Sequence, residues 1–581
     1  MTPLAGLHLR LQEQLSLLYG EEHAAGLADR LIAEMDFGPD PVEPLQRRNK
    51  WDQGDVMMIT YADSIRRRGE KPLHTLKQFG HEQLSDCISW LHILPFYPYT
   101  SDDGFAVSDY DAVNPEHGDW NDVAAIADDF RLMVDMVINH CSASHRWFES
   151  FKRNEAPFDS YFVQASPYED LSQVVRPRTS PLLQAVNTPE GLKHVWCTFS
   201  HDQIDLNFAN PEVLVEVARM LKLYMQHGAT IFRLDAVAFL WKEAGSSCIN
   251  LPQTHAIIRL LRLLAEYRHA DAVIITETNI PNRENLSYFG NANEAHLIYN
   301  FSFPPLLLHA MLTGNCRYLQ HWMMSMPPAR NGTTYLNFIA SHDGIGLRPA
   351  EGLLSDEEID QVADAMRRFG GLISSRTVNQ QQSRPYEINI ALFDAMKGTL
   401  NGEDGYQFER FICAHAIMLA LEGVPAFYLH SLFATCNDTA RVEASGSNRA
   451  INRHSWDFDT LDAHLQDPES HHSRVFLALK QLIALRAEQP AFHPNATQFT
   501  MHLGQELFAF WRQSMDREQS IFSVNNITDR EQVIPLSALN LIVTDEWRDL
   551  ISGRRYDEHY GELVLTPYQT VWIANGAGDA V

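Results

Sequence analysis

The sequence predicts an α/β fold: a (β/α)8 TIM barrel with two inserted loop subdomains, an N-terminal helical extension and a C-terminal antiparallel β domain. Eight short apolar stretches alternate with longer stretches of helical periodicity between residues 56 and 429. Such alternation is typical of parallel strands joined by crossover helices. Eight units over this length favour a closed barrel over an open sheet, and such barrels carry their functional residues at the C-terminal strand ends.

The helical extension is predicted over residues 1–50. Apolar residues recur there at helical spacing in two runs, which start at Leu4 and Leu27 and are separated by Gly20. We expect these two helices to lie against the barrel. A separate binding module is the alternative.

The barrel is predicted to span residues 51–489. Its strands are predicted at 56–61, 91–95, 133–138, 230–237, 273–277, 297–300, 335–339 and 426–429. The fourth strand opens with β-branched and aromatic residues, which is typical of a strand buried on both faces. Arg233 and Asp235 lie two residues apart at its end, so their side chains point to the same face. A purely structural ion pair is the alternative explanation of these two charges.

Two gaps between the predicted strands are too long for simple loops. They run from about 141 to 205, after the third strand, and from about 344 to 402, after the seventh. Both leave the barrel at the C-terminal strand ends, so we predict two inserted subdomains that cover this face. Beyond residue 490 the pattern changes to short alternating strands separated by turn residues, which predicts an antiparallel β domain over 490–581.

The composition excludes several classes of partner. A formal net charge of −28 argues against nucleic acid and against an anionic membrane. The seven cysteines are scattered without a CxxC pair, which favours reduced thiols over a disulfide framework or a zinc site. No secretion signal is evident, and no stretch reaches about 18 uninterrupted apolar residues. We therefore expect a cytoplasmic protein.

Three carboxylates lie at the ends of three predicted strands. They are Asp235, Glu277 and Asp343, accompanied by His140, His342 and Arg233. A structural role explains the set poorly, because clustered carboxylates repel one another. Glycosyl transfer is the chemistry that needs two carboxylates, one as nucleophile at the anomeric carbon and one to protonate the leaving oxygen. A retaining enzyme keeps the two about 5–5.5 Å apart.

Four motifs resemble the signature regions of the α-amylase superfamily of glycoside-active enzymes. They are DxxxNH (135–140), RLDA (233–236), an apolar strand that ends in Glu277, and SHDG (341–344). Finer features resemble the sucrose phosphorylase branch of that superfamily. These are LPFYPYTSDDGF (94–105), RPR (176–178), TFSHDQID (198–205), RLDAVAFLWKEAGSSC (233–248), FPPLLLHA (303–310), HDGIGL (342–347) and NRAINRH (448–454). The resemblance extends over nearly the whole chain.

The resemblance implies a role for each matching residue. Asp235 would be the nucleophile, Glu277 the general acid/base, and Asp343 the third carboxylate that binds sugar hydroxyls and stabilises the transition state. Arg233 would keep Asp235 ionised. The residues implied to bind or enclose the glucose are Asp102, Phe105, His140, Phe199, Gln203, Arg233, His342 and Arg449.

A phosphate site is implied by Arg178 of the RPR motif and by Tyr386, one in each predicted insertion. Arginine suits this role because its fork of donors binds phosphate through two hydrogen bonds. Arg384 departs from the sucrose phosphorylases proper, which have an acidic residue in a loop that contacts the fructosyl group. That arginine and the longer N-terminal extension look more like the branch members that act on sucrose 6-phosphate, glucosylglycerate or glucosylglycerol. Arg384 would suit an anionic acceptor, and a solvent-facing position is its alternative.

The function predicted from the sequence is a retaining α-glucoside phosphorylase that releases α-glucose 1-phosphate. The favoured substrate is 2-O-α-glucosylglycerol, because the acidic surface suggests a salt-exposed source. The alternatives are a glucosylglycerate phosphorylase, which fits Arg384 better, a sucrose 6-phosphate phosphorylase, and a glucosidase or transglucosidase. A non-catalytic binding or scaffold subunit is a third class, which the intact carboxylates argue against. The expected partners are a sugar and phosphate as co-substrate, with no cofactor, no metal, and a monomer or homodimer as the assembly.

Overall fold

Eight parallel strands form a closed barrel in the computed structural model, which describes residues 2–38, 41, 43–178, 180–379, 382–539, 541–542, 546–556 and 561–575. The strands are β1 (Met57–Thr60), β2 (Trp90–Ile93), β3 (Arg131–Met136), β4 (Ala229–Leu234), β5 (Val273–Thr276), β6 (Leu297–Tyr299), β7 (Thr334–Phe338) and β8 (Val424–Tyr428). Each pairs in parallel with the next, and β8 pairs with β1, which closes the barrel. The predicted fold class and all eight strand positions are confirmed.

Helices surround the barrel on its outer side. The longer ones are Pro72–Gln83, Trp120–Ala127, Pro211–Gln226, Pro252–Arg268, Phe303–Thr313, Arg317–Ser325, Gln407–Ala420, Phe458–Gln466 and His471–Ala487. Several begin with proline in the first turn, where the missing N–H has no partner to lose. Six of the strands are buried along their whole length, β3 along all but its first residue and β4 along all but Thr230, which explains their continuous apolar character.

The N-terminal extension consists of two helices, α1 (Pro3–Tyr19) and α2 (Glu21–Met35). Helix α1 packs on Pro252–Arg268, and α2 packs on Pro211–Gln226. The residues that they bury are those of the predicted periodicity, from Leu7 to Met35. The extension therefore lies against the barrel. The domain boundaries predicted from the sequence stay predictions: 1–50 for the extension, 51–489 for the barrel and 490–581 for the C-terminal domain.

The first long connection follows β3 and is tied to the barrel mouth. Strand His140–Ser142 pairs antiparallel with Gln203–Asp205, which brings both ends of the connection together. Between them lie the helix Arg146–Lys152 and the hairpin Leu183–Thr188 with Gly191–Trp196. Lys242, which follows β4, donates to Asp205 at 2.6 Å and holds the connection against the next strand end.

The second long connection follows β7. It contains the helix Asp356–Arg368 and a hairpin of Leu372–Asn379 with Gln382–Asn389. The second strand of this hairpin also pairs with Ile345–Gly346. Residues 386 and 387 are thereby brought back to the barrel mouth, next to the segment that directly follows β7.

The C-terminal part forms a five-stranded antiparallel sheet. Its strands are, in spatial order, Thr497–His502, Leu507–Gln513, Ser520–Asn526, Thr570–Asn575 and Trp547–Asp549, with Gln532–Pro535 and Glu562–Leu565 as a separate pair. The sequence did not predict the strands at 497–502, 532–535 and 547–549. Two of these, Thr497–His502 and Trp547–Asp549, lie at the edges of the main sheet. No helix in the described part of the chain is long and apolar enough to cross a membrane.

Candidate active site

A cavity opens at the C-terminal ends of the barrel strands. Of the site residues predicted from the sequence, all but Arg384 line it: Asp102, Phe105, His140, Arg178, Phe199, Gln203, Arg233, Asp235, Glu277, His342, Asp343, Tyr386 and Arg449. The barrel topology explains this convergence, because parallel strands deliver their C-terminal ends to one rim.

Arg233 is the central cation of the site. It is buried, and its Nη1 donates to Asp235 Oδ1 at 2.7 Å and to Asp135 of β3. Asp135 is held on its other oxygen by His92 Nε2, at 2.6 Å. Burial opposes ionisation of Asp135, but Arg233 and His92 outweigh it and lower the pKa of this carboxyl. A chain of hydrogen bonds from His92 of β2 through Asp135 of β3 to Arg233 of β4 therefore orients the Asp235 carboxylate.

Glu277 lies next to Asp235. Its Oε2 accepts a hydrogen bond from the backbone N–H of Ala236, at 3.0 Å, and lies 3.8 Å from Arg233 Nη2. Burial raises the pKa of both carboxyls, and repulsion between them raises that of Asp235 further. Arg233 is closer to Asp235 than to Glu277, which favours Asp235 over Glu277 as the ionised member of the pair.

Asp343 is held by two arginines from the segment after β8. Arg449 Nη1 lies 2.6 Å from its Oδ1, and Arg453 Nη2 lies 3.9 Å away. Burial alone would raise the pKa of Asp343, but Arg449, His342 and Arg453 outweigh it and the pKa is lowered. Arg449 also donates to both oxygens of Glu387, at 3.0 and 2.7 Å, and so connects Asp343 to the second long connection.

The two histidines of the site are neutral near neutral pH. Burial lowers the pKa of His342 to about 3 and also lowers that of His140. The His342 ring stacks on Phe105, with ring centroids 5.2 Å apart. Both imidazoles can therefore offer hydrogen bonds to sugar hydroxyls without adding charge.

The remaining predicted glucose-binding residues form one wall of the cavity. Gln203 Nε2 lies 3.2 Å from Asp102 Oδ2 and 3.2 Å from His140 Nε2. The Phe199 ring packs against His140 and Phe239, with centroids 5.3 and 5.6 Å apart. This wall joins the first long connection to the ends of β2 and β3.

Arg178 and Tyr386 face the cavity from different long connections. The Arg178 side chain is half-buried, and among the described residues it has no hydrogen bond or ion pair. Burial raises the pKa of Tyr386, and the positive charge of Arg178 opposes that rise. The two side chains are therefore close enough to interact, and Arg178 has an unused set of donors.

Arg384 is not at the cavity. Its guanidinium donates to Asp356 through both Nη atoms, at 3.1 and 2.8 Å, and both side chains are exposed. The hairpin has a register shift at Tyr386, because Glu387 pairs with Ser374 and Pro385 with Ser375. A bulge redirects side chains, so Arg384 and Tyr386 differ in direction although they are two residues apart. The solvent-facing alternative considered for Arg384 fits this geometry.

Several residues of the site had no role assigned from the sequence. They are His92, Asp135, Asn279, Arg348, Glu387 and Arg453. Arg348 directly follows the HDGIGL motif, and Asn279 lies two residues after Glu277, so proximity to a recognised motif was an available signal. Arg453 lies within the NRAINRH motif and Glu387 directly follows Tyr386, so both had the same signal, although their partners are remote in sequence. Among the described residues, no group of three or more histidine, cysteine or acidic side chains is arranged to hold a metal ion.

Residues 86–344 match the family model of the α-amylase catalytic domain. The chain is 41% identical to a glucosylglycerate phosphorylase of Spirochaeta thermophila, over 97% of this chain and 98% of the relative. It is 30% identical to a glucosylglycerol phosphorylase of Marinobacter adhaerens, over 75% of this chain and 88% of the relative.

The fold is similar to a solved sucrose 6F-phosphate phosphorylase from Thermoanaerobacter thermosaccharolyticum. The TM-score is 0.70 with 24% identity, over 82% of this chain and 94% of that one. Full-length similarity to phosphorylases and the closed barrel with its cluster of carboxylates lead to one conclusion. The chain belongs to the α-amylase family and is a glycoside phosphorylase of its sucrose phosphorylase branch.

Proposed function

We propose that the protein is a retaining glucosylglycerate phosphorylase, which converts an α-glucoside of glycerate and phosphate into α-glucose 1-phosphate and glycerate. The observation that carries this proposal is the 41% identity to a glucosylglycerate phosphorylase along nearly the whole of both chains. The sequence-based preference for glucosylglycerol has less support, since that relative is 30% identical over 75% of this chain. That preference rested on the net charge, which is a property of the whole surface and does not determine which acceptor one site binds.

The first step forms a covalent glucosyl-enzyme. The ionised Asp235 attacks the anomeric carbon, and the bond between that carbon and the acceptor oxygen breaks. Glu277 gives its proton to this oxygen, so that glycerate leaves as a neutral alcohol at the reacting position. The geometry around Arg233 supports these roles, because Arg233 donates to Asp235 at 2.7 Å but lies 3.8 Å from Glu277, and burial raises the pKa of Glu277.

The second step transfers glucose to phosphate. A phosphate oxygen attacks the anomeric carbon of the glucosyl-enzyme, the ester bond to Asp235 breaks, and the phosphate proton returns to Glu277. Phosphate needs a cationic site in a protein of net charge −28. Arg178 supports this role, because it lines the cavity with its donors unused and lies near the Tyr386 hydroxyl.

Replacing Arg178 with alanine tests the phosphate site. The variant loses a charge-assisted contact worth about 1.5–3 kcal/mol, so we expect the KM for phosphate to rise at least about tenfold. Water should then compete for the glucosyl-enzyme, and free glucose should appear beside α-glucose 1-phosphate. Arg153→Ala is a matched control, because Arg153 pairs with Glu155 on the surface of the same connection. An unchanged phosphate KM and product ratio would remove Arg178 from the phosphate site.

The proposed function is tested in the synthetic direction. The enzyme receives α-glucose 1-phosphate with glycerate, glycerol, fructose 6-phosphate or fructose, and phosphate release is followed. We expect glycerate to give the highest kcat/KM. A higher kcat/KM for glycerol would support glucosylglycerol, the substrate favoured from the sequence. If α-glucose 1-phosphate without any acceptor released glucose as fast as phosphate is released with an acceptor, the protein would be a hydrolase instead.

A further inference from the structure

The cavity contains two arginines whose charge is neutralised by no carboxylate of the described residues. Four arginines line it: Arg178, Arg233, Arg348 and Arg449. Arg233 is paired with Asp135 and Asp235, and Arg449 with Asp343 and Glu387. Among the described residues, neither Arg178 nor Arg348 has a side-chain hydrogen bond or ion pair. A guanidinium that lines a cavity without a protein partner has its fork of donors available to bind an anion.

Arg348 lies on the side of the cavity where the acceptor leaves. It begins the turn Arg348–Ala350, directly after the strand Ile345–Gly346. A Cβ placed on Gly346 would lie 3.0 Å from Asn279 Nδ2, so this strand is in direct contact with the segment that follows Glu277. Because Glu277 protonates the acceptor oxygen in the proposed mechanism, side chains that flank it surround the acceptor rather than the glucose.

Asn279 supplies a second unused polar group at the same place. It lines the cavity together with Arg348, and its buried Oδ1 has no hydrogen-bond partner among the described residues. A buried carboxamide oxygen without a donor destabilises the fold unless a ligand or water satisfies it. A hydroxyl of the acceptor would satisfy it.

We propose that Arg348 and Asn279 form the acceptor subsite, in which Arg348 binds the carboxylate of glycerate and Asn279 binds one of its hydroxyls. The inference rests on the proposed function. Two anions use this side of the cavity in that function, phosphate and the glycerate carboxylate, and they match the two unpaired arginines. Glycerol offers no carboxylate and leaves Arg348 without a partner, so this pair selects glycerate over glycerol.

The sharpest test is the ratio of kcat/KM for glycerate to that for glycerol, measured with α-glucose 1-phosphate as donor. Arg348→Ala should lower this ratio roughly tenfold to a hundredfold, because only glycerate loses a charge-assisted contact. Asn279→Ala should lower the values for both acceptors and leave the ratio nearly unchanged. Both kcat/KM values come from one preparation, so their ratio does not depend on the fraction of enzyme that is folded. Arg348→Lys is a second variant, which keeps the positive charge but lacks the two-pronged set of guanidinium donors.

Arg367→Ala is the matched control, because Arg367 lies on the helix of the same connection and pairs with Asp364 on the surface. An unchanged ratio in Arg348→Ala, with a wild-type enzyme that prefers glycerate, would overturn the inference and leave the proposed function intact. A changed ratio in Arg384→Ala instead would move the carboxylate site to that residue. A higher KM for the donor or phosphate in Arg348→Ala, at constant acceptor ratio, would assign Arg348 to phosphate. A wild-type enzyme that rejects glycerate would overturn the proposed function and this inference with it.

Discussion

The Asp235→Asn variant should fold normally and lose at least about 10⁴-fold in kcat, because an amide cannot form the covalent ester with glucose. Asparagine has the same shape as aspartate, and Arg233 keeps its contact with Asp135 in the variant. We therefore expect nearly unchanged thermal unfolding. Mass spectrometry after incubation with α-glucose 1-phosphate should detect no glucosyl-enzyme.

Asp111→Asn is a suitable control for this variant. Asp111 is also an aspartate paired with two arginines, Arg146 at 2.9 Å and Arg219 at 2.8 Å, but it does not line the cavity. Its replacement should leave kcat within a small factor of the wild type. Near-wild-type activity in a folded Asp235→Asn variant would assign the nucleophile to another residue.

The Glu277→Gln variant should lose about 10²–10⁴-fold in phosphorolysis, since a glutamine cannot protonate the acceptor oxygen. A donor with a good leaving group, such as α-glucosyl fluoride, needs no proton and should be cleaved by the variant. Azide should then release the glucosyl-enzyme as an azide adduct, because it attacks without needing a general base. Equal losses with both donors and no azide adduct would contradict the acid/base role.

The pH dependence gives a second measure of Glu277. Burial raises its pKa, and the first step needs the protonated acid. The kcat/KM for the glucoside should therefore fall as the pH increases through that raised pKa. Glu277→Gln should lose this alkaline decrease when the fluoride is the donor. Glu422→Gln is the control, because burial also raises the pKa of Glu422, but it lies at the N-terminal end of β8, where it accepts from the Ala329 N–H.

The sequence predicted the barrel because each of its strands is a short apolar stretch that can be recognised from its own residues. It predicted the cluster of carboxylates because barrel topology brings the C-terminal strand ends to one rim, whatever the details of packing. The prediction was incomplete where strands are irregular or lie at an edge. Thr497–His502 has alternating intermediate and exposed residues and no buried face, so its pattern resembles a loop.

The sequence by itself therefore determined the fold class, the family and which carboxylates meet. Only the tertiary structure decided which arginines remain free to bind an anion. Arg449 is neutralised by Asp343 and Glu387, and Arg384 turns outwards to Asp356, whereas Arg348 lines the cavity with no ion pair in the part of the chain that the structure describes. Ion pairing and desolvation depend on distances of a few ångströms between residues that are remote in the chain, and no local pattern of residues encodes those distances.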